Sequence, residues 1–130
     1  MNVALLDTNI FIRFFIKDIE DQFLESFKIF EKIEKGELEG LISILVINEI
    51  IWIMENYYEL KREVYIPELL KLLALKKMKI VEVSKDMVIK ILQLMQDRKI
   101  DFTDFYLSEI PDTKQVLSFD EDFKKLKQQD

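Results

Sequence analysis

The chain opens with a short apolar run, Val3 to Leu6, that stops at Asp7 and turns through Thr8 and Asn9 into another apolar segment. A continuous run of this length, without polar alternation, is the pattern of a parallel strand covered on both faces. In an open parallel sheet, ligands gather outside the carboxyl ends of the strands, so a carboxylate at that junction points toward a crevice. Asp7 also has an ordinary structural use there, as the N-cap of the next helix. The two readings part only if further carboxylates reach the same edge.

The rest of the chain alternates in the same way. After the apolar stretch Ile10 to Ile16 and a polar break at Lys17 to Asp21, Phe23, Phe27, Phe30 and Ile33 recur at three and four. That is an amphipathic helix, ending near Gly36. Gly40, the other of the chain's two glycines, reads as a further turn. Leu41 to Ser43 reads as a second strand, with Ser43 capping a helix from Ile44 to Tyr58. Pro67 fits the first turn of a helix running through Met78. Lys79 to Val83 alternates as a third strand. Ser84 caps a helix with Met87 at N3 and Val88, Ile91, Leu92 and Met95 as its apolar stripe. Phe102 to Ile110 is a short helix stopped by Pro111, Gln115 to Phe119 a last strand, and Glu121 to Gln128 a last helix. With no linker or repeat, the 130 residues predict one α/β domain, 1–130, on a mainly parallel sheet.

The chain has no Cys and no His. That removes disulfides, thiolate nucleophiles, Ser-His triads and Cys/His zinc sites. Acid–base or metal chemistry falls to carboxylates, Lys, Tyr or water, and oxygen-only ligands favour Mg²⁺ or Mn²⁺. The net charge of −6 does not suit a module that merely coats nucleic acid. Carboxylates that hold cations can still act on a phosphate backbone, because the ion reverses the local sign. No run approaches a membrane span and the N-terminus lacks a signal pattern, so the expected location is cytoplasmic.

Four further carboxylates bear on the question that Asp7 raises. Glu49 lies about a turn and a half past Ser43, among Val46, Ile47, Ile50 and Ile51, which makes buried surroundings expected. Its plain alternative is a solvated stripe shared with Asn56. Asp101 and Asp104 share one side of a helix if it has begun, and bind cations or simply serve its start. Asp120 follows Val116 to Phe119 and repeats the opening pattern of strand, Asp, helix. Each has a capping alternative. Convergence of Asp7, Glu49, Asp104 and Asp120 in one crevice is costly unless a divalent cation neutralises them.

With these positions in hand, the chain resembles the PIN-domain nucleases, especially the small bacterial and archaeal VapC type. Leu6-Asp7-Thr8-Asn9-Ile10 looks like that family's first acidic motif, and Ser43-Ile-Leu-Val-Ile-Asn-Glu49 like its Ser…Glu helix motif. Asp101-Phe-Thr-Asp104 looks like the third, with Asp104 in the core position. Ser118-Phe-Asp120-Glu-Asp-Phe123 looks like the closing one. The motifs span almost the whole chain in the right order. One departure is Phe105-Tyr-Leu-Ser-Glu-Ile110, bulky where the family usually has an Ala-rich helix.

The resemblance implies a three-layer α/β/α sandwich with a carboxylate pocket for Mg²⁺ or Mn²⁺. It also implies a ribonuclease, often a homodimer, often held by an antitoxin protein. Asp7, Asp104 and Asp120 then hold the metal, Glu49 and Asp101 complete the ligand set or orient the attacking water, and Thr8, Asn9, Ser118 and Arg13 meet the carboxylates or the RNA. A non-catalytic PIN-fold binding or assembly domain is the alternative. An aspartyl phosphatase of the haloacid-dehalogenase type wants a second Asp where Asn9 stands.

Overall fold

The computed structural model describes residues 2–110, 116–122 and 126. Strand β1 is Asn2–Leu5, followed by helices α1 (Thr8–Ile16) and α2 (Glu20–Glu34). Strand β2 is Leu38–Ile42, followed by α3 (Ile44–Trp52) and α4 (Arg62–Leu73). Strand β3 is Met78–Ile80, followed by α5 (Lys85–Met95) and α6 (Phe102–Ser108). The sheet order is β1-β2-β3 with both pairings parallel, in a three-layer α/β/α arrangement. Helices join successive parallel strands because such strands need a long crossover. No helix among the described residues is long and apolar enough to cross a membrane.

The opening strand departs from its expected burial. Leu6 is buried, but Val3 is exposed and Leu5 is 70 % exposed. Among the described residues β1 pairs with β2 alone, so its other edge is open. The expected last strand does not cover it: Val116 to Phe119 join no ladder, and Leu117 and Phe119 are exposed. Pro111 and Gln115 lie outside the described residues. So does most of the expected last helix, of which Asp122 and Leu126 are helical.

The two glycines do different work. Gly36 has φ +80°, the left-handed conformation that ends α2. Gly40, expected as a turn, sits inside β2 instead. A Cβ there would lie 2.7 Å from Ile33 Cδ1 and 3.1 Å from Met78 Sδ. The residue is small because α2 and β3 close in on it, not because the backbone bends.

Pro67 is likewise not where its chemistry suggested. It lies inside α4, which begins five residues earlier at Arg62 and ends at Leu73, while Met78 opens β3. Tertiary contacts at the start of α4 explain the early beginning. Arg62 Nε donates to Glu55 at 2.9 Å, and Arg62 Nη1 donates to the carbonyls of Arg98 (2.7 Å) and Ile100 (2.8 Å). The Tyr65 hydroxyl also donates to Glu55. Burial, then the neighbouring Glu55, pushes the Tyr65 phenol well above its ordinary range.

Glu55 belongs to a π-helical segment, Ile53–Tyr57, that continues α3 without a break. Together the two match the expected helix from Ile44 to Tyr58 but for its last residue. The start of α3 is held from a distance. Ser43 accepts from Leu45 N at 3.1 Å and donates to Glu82 at 2.5 Å, and Ile44 N donates to Glu82 at 2.8 Å. Of the orphan N–H groups at the head of α3, that of Ile44 is thus met by a carboxylate that follows β3 and that of Leu45 by the Ser43 hydroxyl, which the same carboxylate holds in place. Those bonds hold the Glu82 carboxyl below its ordinary range. Ser84 accepts from Met87 N, as its position before α5 predicted.

Candidate metal centre and cleft

Asp104 occupies the first turn of α6, whose buried Phe102 and Phe105 fix the helix in the core. One carboxylate oxygen from each of Asp104, Asp120 and Asp122 lies within 4.8 Å of the others. Oxygens that share one hard divalent ion at roughly 2.0–2.6 Å lie within about 5 Å of each other. The donor set is all oxygen, as a chain without Cys or His requires, and it fits Mg²⁺ or Mn²⁺.

The cluster's electrostatics agree with its geometry. Burial, then the charges of Asp120, Asp101 and Asp122, and a hydrogen bond with Asp120, raise the Asp104 carboxyl above its ordinary range. Asp120 is positioned by a local turn: its N–H donates to Ser118 Oγ at 2.9 Å, and its own Oδ1 accepts from Asp122 N at 2.9 Å. Ser118 therefore supports the loop that presents Asp120. Asp101 stands at the N-cap position of α6 but makes no capping bond. It faces Arg62 Nη2 at 3.8 Å instead. Arg62 thus ties the loop before α6, and Asp101 itself, to α4 and the π segment.

Asp7 and Glu49 line a cleft of about 340 Å³. Asp7 caps α1, accepting from Thr8 N at 2.7 Å, so its structural use is present. The same side chain also borders the cleft. Glu49 is exposed rather than set in buried surroundings, because its flanking isoleucines, Ile47 and Ile50, turn inward and leave it outward. Asn9 and Arg13 line this cleft too, and so does Thr8, although Thr8 is largely buried. Arg13 is paired with Asp18 at 2.9 Å. Helix α3, which carries Glu49, packs against both α1, headed by Asp7, and α6, which carries Asp104.

Two groups of residues were not expected at the site from the sequence. Asp122 read as a first-turn helix residue; its spacing of two from Asp120, with a turn between, was the available signal. Trp52, Ile53, Tyr57 and Tyr58 lie on a helix that is apolar on most sides, part of which suits a dimer or antitoxin contact by sequence, and they form one wall of the Asp7 cleft.

A family model for the PIN domain matches residues 4–129. Neither a curated protein nor a solved structure gives a significant match to the chain. The match runs from β1 past the Asp120 turn, taking in every acidic position described above, and the chain belongs to the PIN domain family.

Proposed function

We propose that this chain is a metal-dependent endoribonuclease that hydrolyses RNA phosphodiester bonds, acting as the toxin of a toxin–antitoxin pair. PIN domains are typically nucleases that act on nucleic acid and use divalent metal ions. The observation that carries the reading is the grouping of Asp104, Asp120 and Asp122, with the Asp104 carboxyl raised by its neighbours. Acidic side chains drawn together at a loop are costly in themselves, and a cation removes the cost.

In this reading Asp104 and Asp120 hold Mg²⁺ or Mn²⁺, joined by Asp7 and, directly or through water, by Glu49 and Asp101. Such an ion supplies Lewis-acid polarisation of the phosphate and a water of lowered pKa. The chain's own residues do the rest. Asp7 is fixed at the head of α1 by its bond to Thr8 N, so its free oxygen keeps one direction. Glu49 projects from the middle of α3 into the same cleft, where it orients water. Arg13 and Asn9 border that cleft and meet the phosphate backbone. Ser118 keeps Asp120 in place through its turn. A homodimer and an antitoxin belong to the same proposal.

The test is cleavage of total RNA by the wild type and by Asp7→Asn, with Mg²⁺, with Mn²⁺ and with chelator. Metal-dependent cleavage lost in Asp7→Asn supports the proposal. Metal-independent cleavage, or none at all from folded protein, overturns it. The second outcome would leave a PIN-fold binding or assembly domain.

A further inference from the structure

Part of the wall of the Asp7 cleft is aromatic, and it is open to solvent. Trp52 is 61 % exposed and Tyr57 is 72 % exposed. In a regular α-helix, residues five apart diverge by about 140° around the axis. Here the ladder changes to i→i+5 bonds, with Tyr58 N donating to Ile53 O at 3.1 Å. That change brings residues five apart onto one side, so Trp52 and Tyr57 border the same cleft as Asp7 and Glu49. Tyr58 packs edge-on against Tyr57, with ring centroids 4.8 Å apart at 80°, and steadies its ring. π turns inserted in helices are frequent at functional sites.

We propose that Trp52 and Tyr57 form a stacking site for an unpaired base of the nucleic-acid strand, next to the phosphate handled at Asp7 and Glu49. The inference rests on the nuclease reading above and adds to it how the strand is held. An aromatic ring stacks on the face of any base, and stacking of neighbouring pairs within a duplex withdraws that face. The cleft volume, about 340 Å³, lies at the small end of ligand pockets. A protein partner laid over these rings would also cover Asp7 and Glu49 and strip water from two carboxylates without offering them a cation. A nucleotide offers a ring face to the aromatics and a phosphate to Arg13, which borders the same cleft.

The chain contains a single tryptophan, so Trp52 emission reports on this site alone. The experiment titrates the protein in Mg²⁺ with a short phosphorothioate oligoribonucleotide, with an abasic oligomer of equal length and charge, and with the duplex. In parallel, kcat and KM on single-stranded RNA are measured for Trp52→Ala, Tyr57→Ala and Trp52→Phe, each checked by circular dichroism. The single strand should quench Trp52, and the abasic oligomer and the duplex should not. Each Ala variant should raise KM about tenfold with kcat nearly kept, and Trp52→Phe should restore most of it. Equal quenching by the abasic oligomer, or an unchanged KM in both Ala variants, overturns the stacking site. So does self-association that shields Trp52 and leaves its emission indifferent to RNA, which would give this wall to a second copy of the chain. Quenching without cleavage would remove the ribonuclease reading and keep the base site; cleavage without quenching would do the reverse.

Discussion

Glu55 and Arg62 form an ion pair at 2.9 Å with Arg62 only 17 % exposed, and the same guanidinium bonds the carbonyls that lead into α6. One side chain therefore joins the π segment, α4 and the loop that ends at Asp101. Removing one member of a buried pair leaves the other charged and unpartnered. Arg62→Met should destabilise the fold by about 3 kcal/mol, measured by urea unfolding. Arg62→Lys should recover little, because a point ammonium cannot replace the planar fork. If Arg62→Lys is as stable as wild type, the carbonyl contacts carry no weight.

Asp104 sets the sign of a second prediction. Its folded-state pKa is raised, so its penalty is fully present above that value and vanishes below the unfolded one, about 3.9. In chelator at neutral pH, Asp104→Asn should therefore melt above wild type, and the advantage should fade as pH falls through the raised folded-state pKa toward about 4. Mn²⁺ should raise the melting temperature of wild type, by up to roughly 2.7 kcal/mol of stability at a hundredfold excess over Kd, and that of the variant far less. An equal metal response in both proteins would place the ion elsewhere.

Glu82 has the opposite sign. Ser43 and Ile44 hold its carboxyl low, so the stabilisation exists above the unfolded pKa and is lost as pH falls through the folded one. The group is open to solvent, so Glu82→Gln should cost no more than about 1 kcal/mol at neutral pH, less in high salt. Thermal melts at low and high salt would show this, and a salt-independent loss would contradict it.

Gly40 tests how closely α2 packs on the sheet. Gly40→Ala forces its methyl against Ile33 and Met78 and should cost about 1–3 kcal/mol. Combining it with Ile33→Val should return part of the loss. A neutral Gly40→Ala would mean that these side-chain ends move aside freely.

Much of this fold was legible because apolar spacing reports directly on which residues meet a core. The helices capped by Asp7, Ser43 and Ser84 begin where their side-chain oxygens predicted. What failed depended on partners distant in sequence. Pro67 signalled a helix start, but Arg62 and Tyr65 reach Glu55 and begin α4 earlier. Gly40 signalled a turn, whereas the space it leaves is taken by Ile33. The burial of Val3 and Leu5 was read from the run alone, and that depends on a neighbouring strand. For the site, the order of the acidic positions was readable. The role of Asp122 and the aromatic wall was not, since neither the Ser118–Asp120 turn nor a π turn has a periodic signature.

The π turn also has a genetic consequence. It holds one residue more than an α-helix of the same rise needs, so the helix carries a surplus that can be removed. Deleting Asn56 would return the ladder to α register with Tyr57 four residues after Trp52, about 40° apart around the axis, so the two rings would still face one side. A three-nucleotide deletion would thus shorten the helix and keep the aromatic wall and the acidic residues on the same cleft.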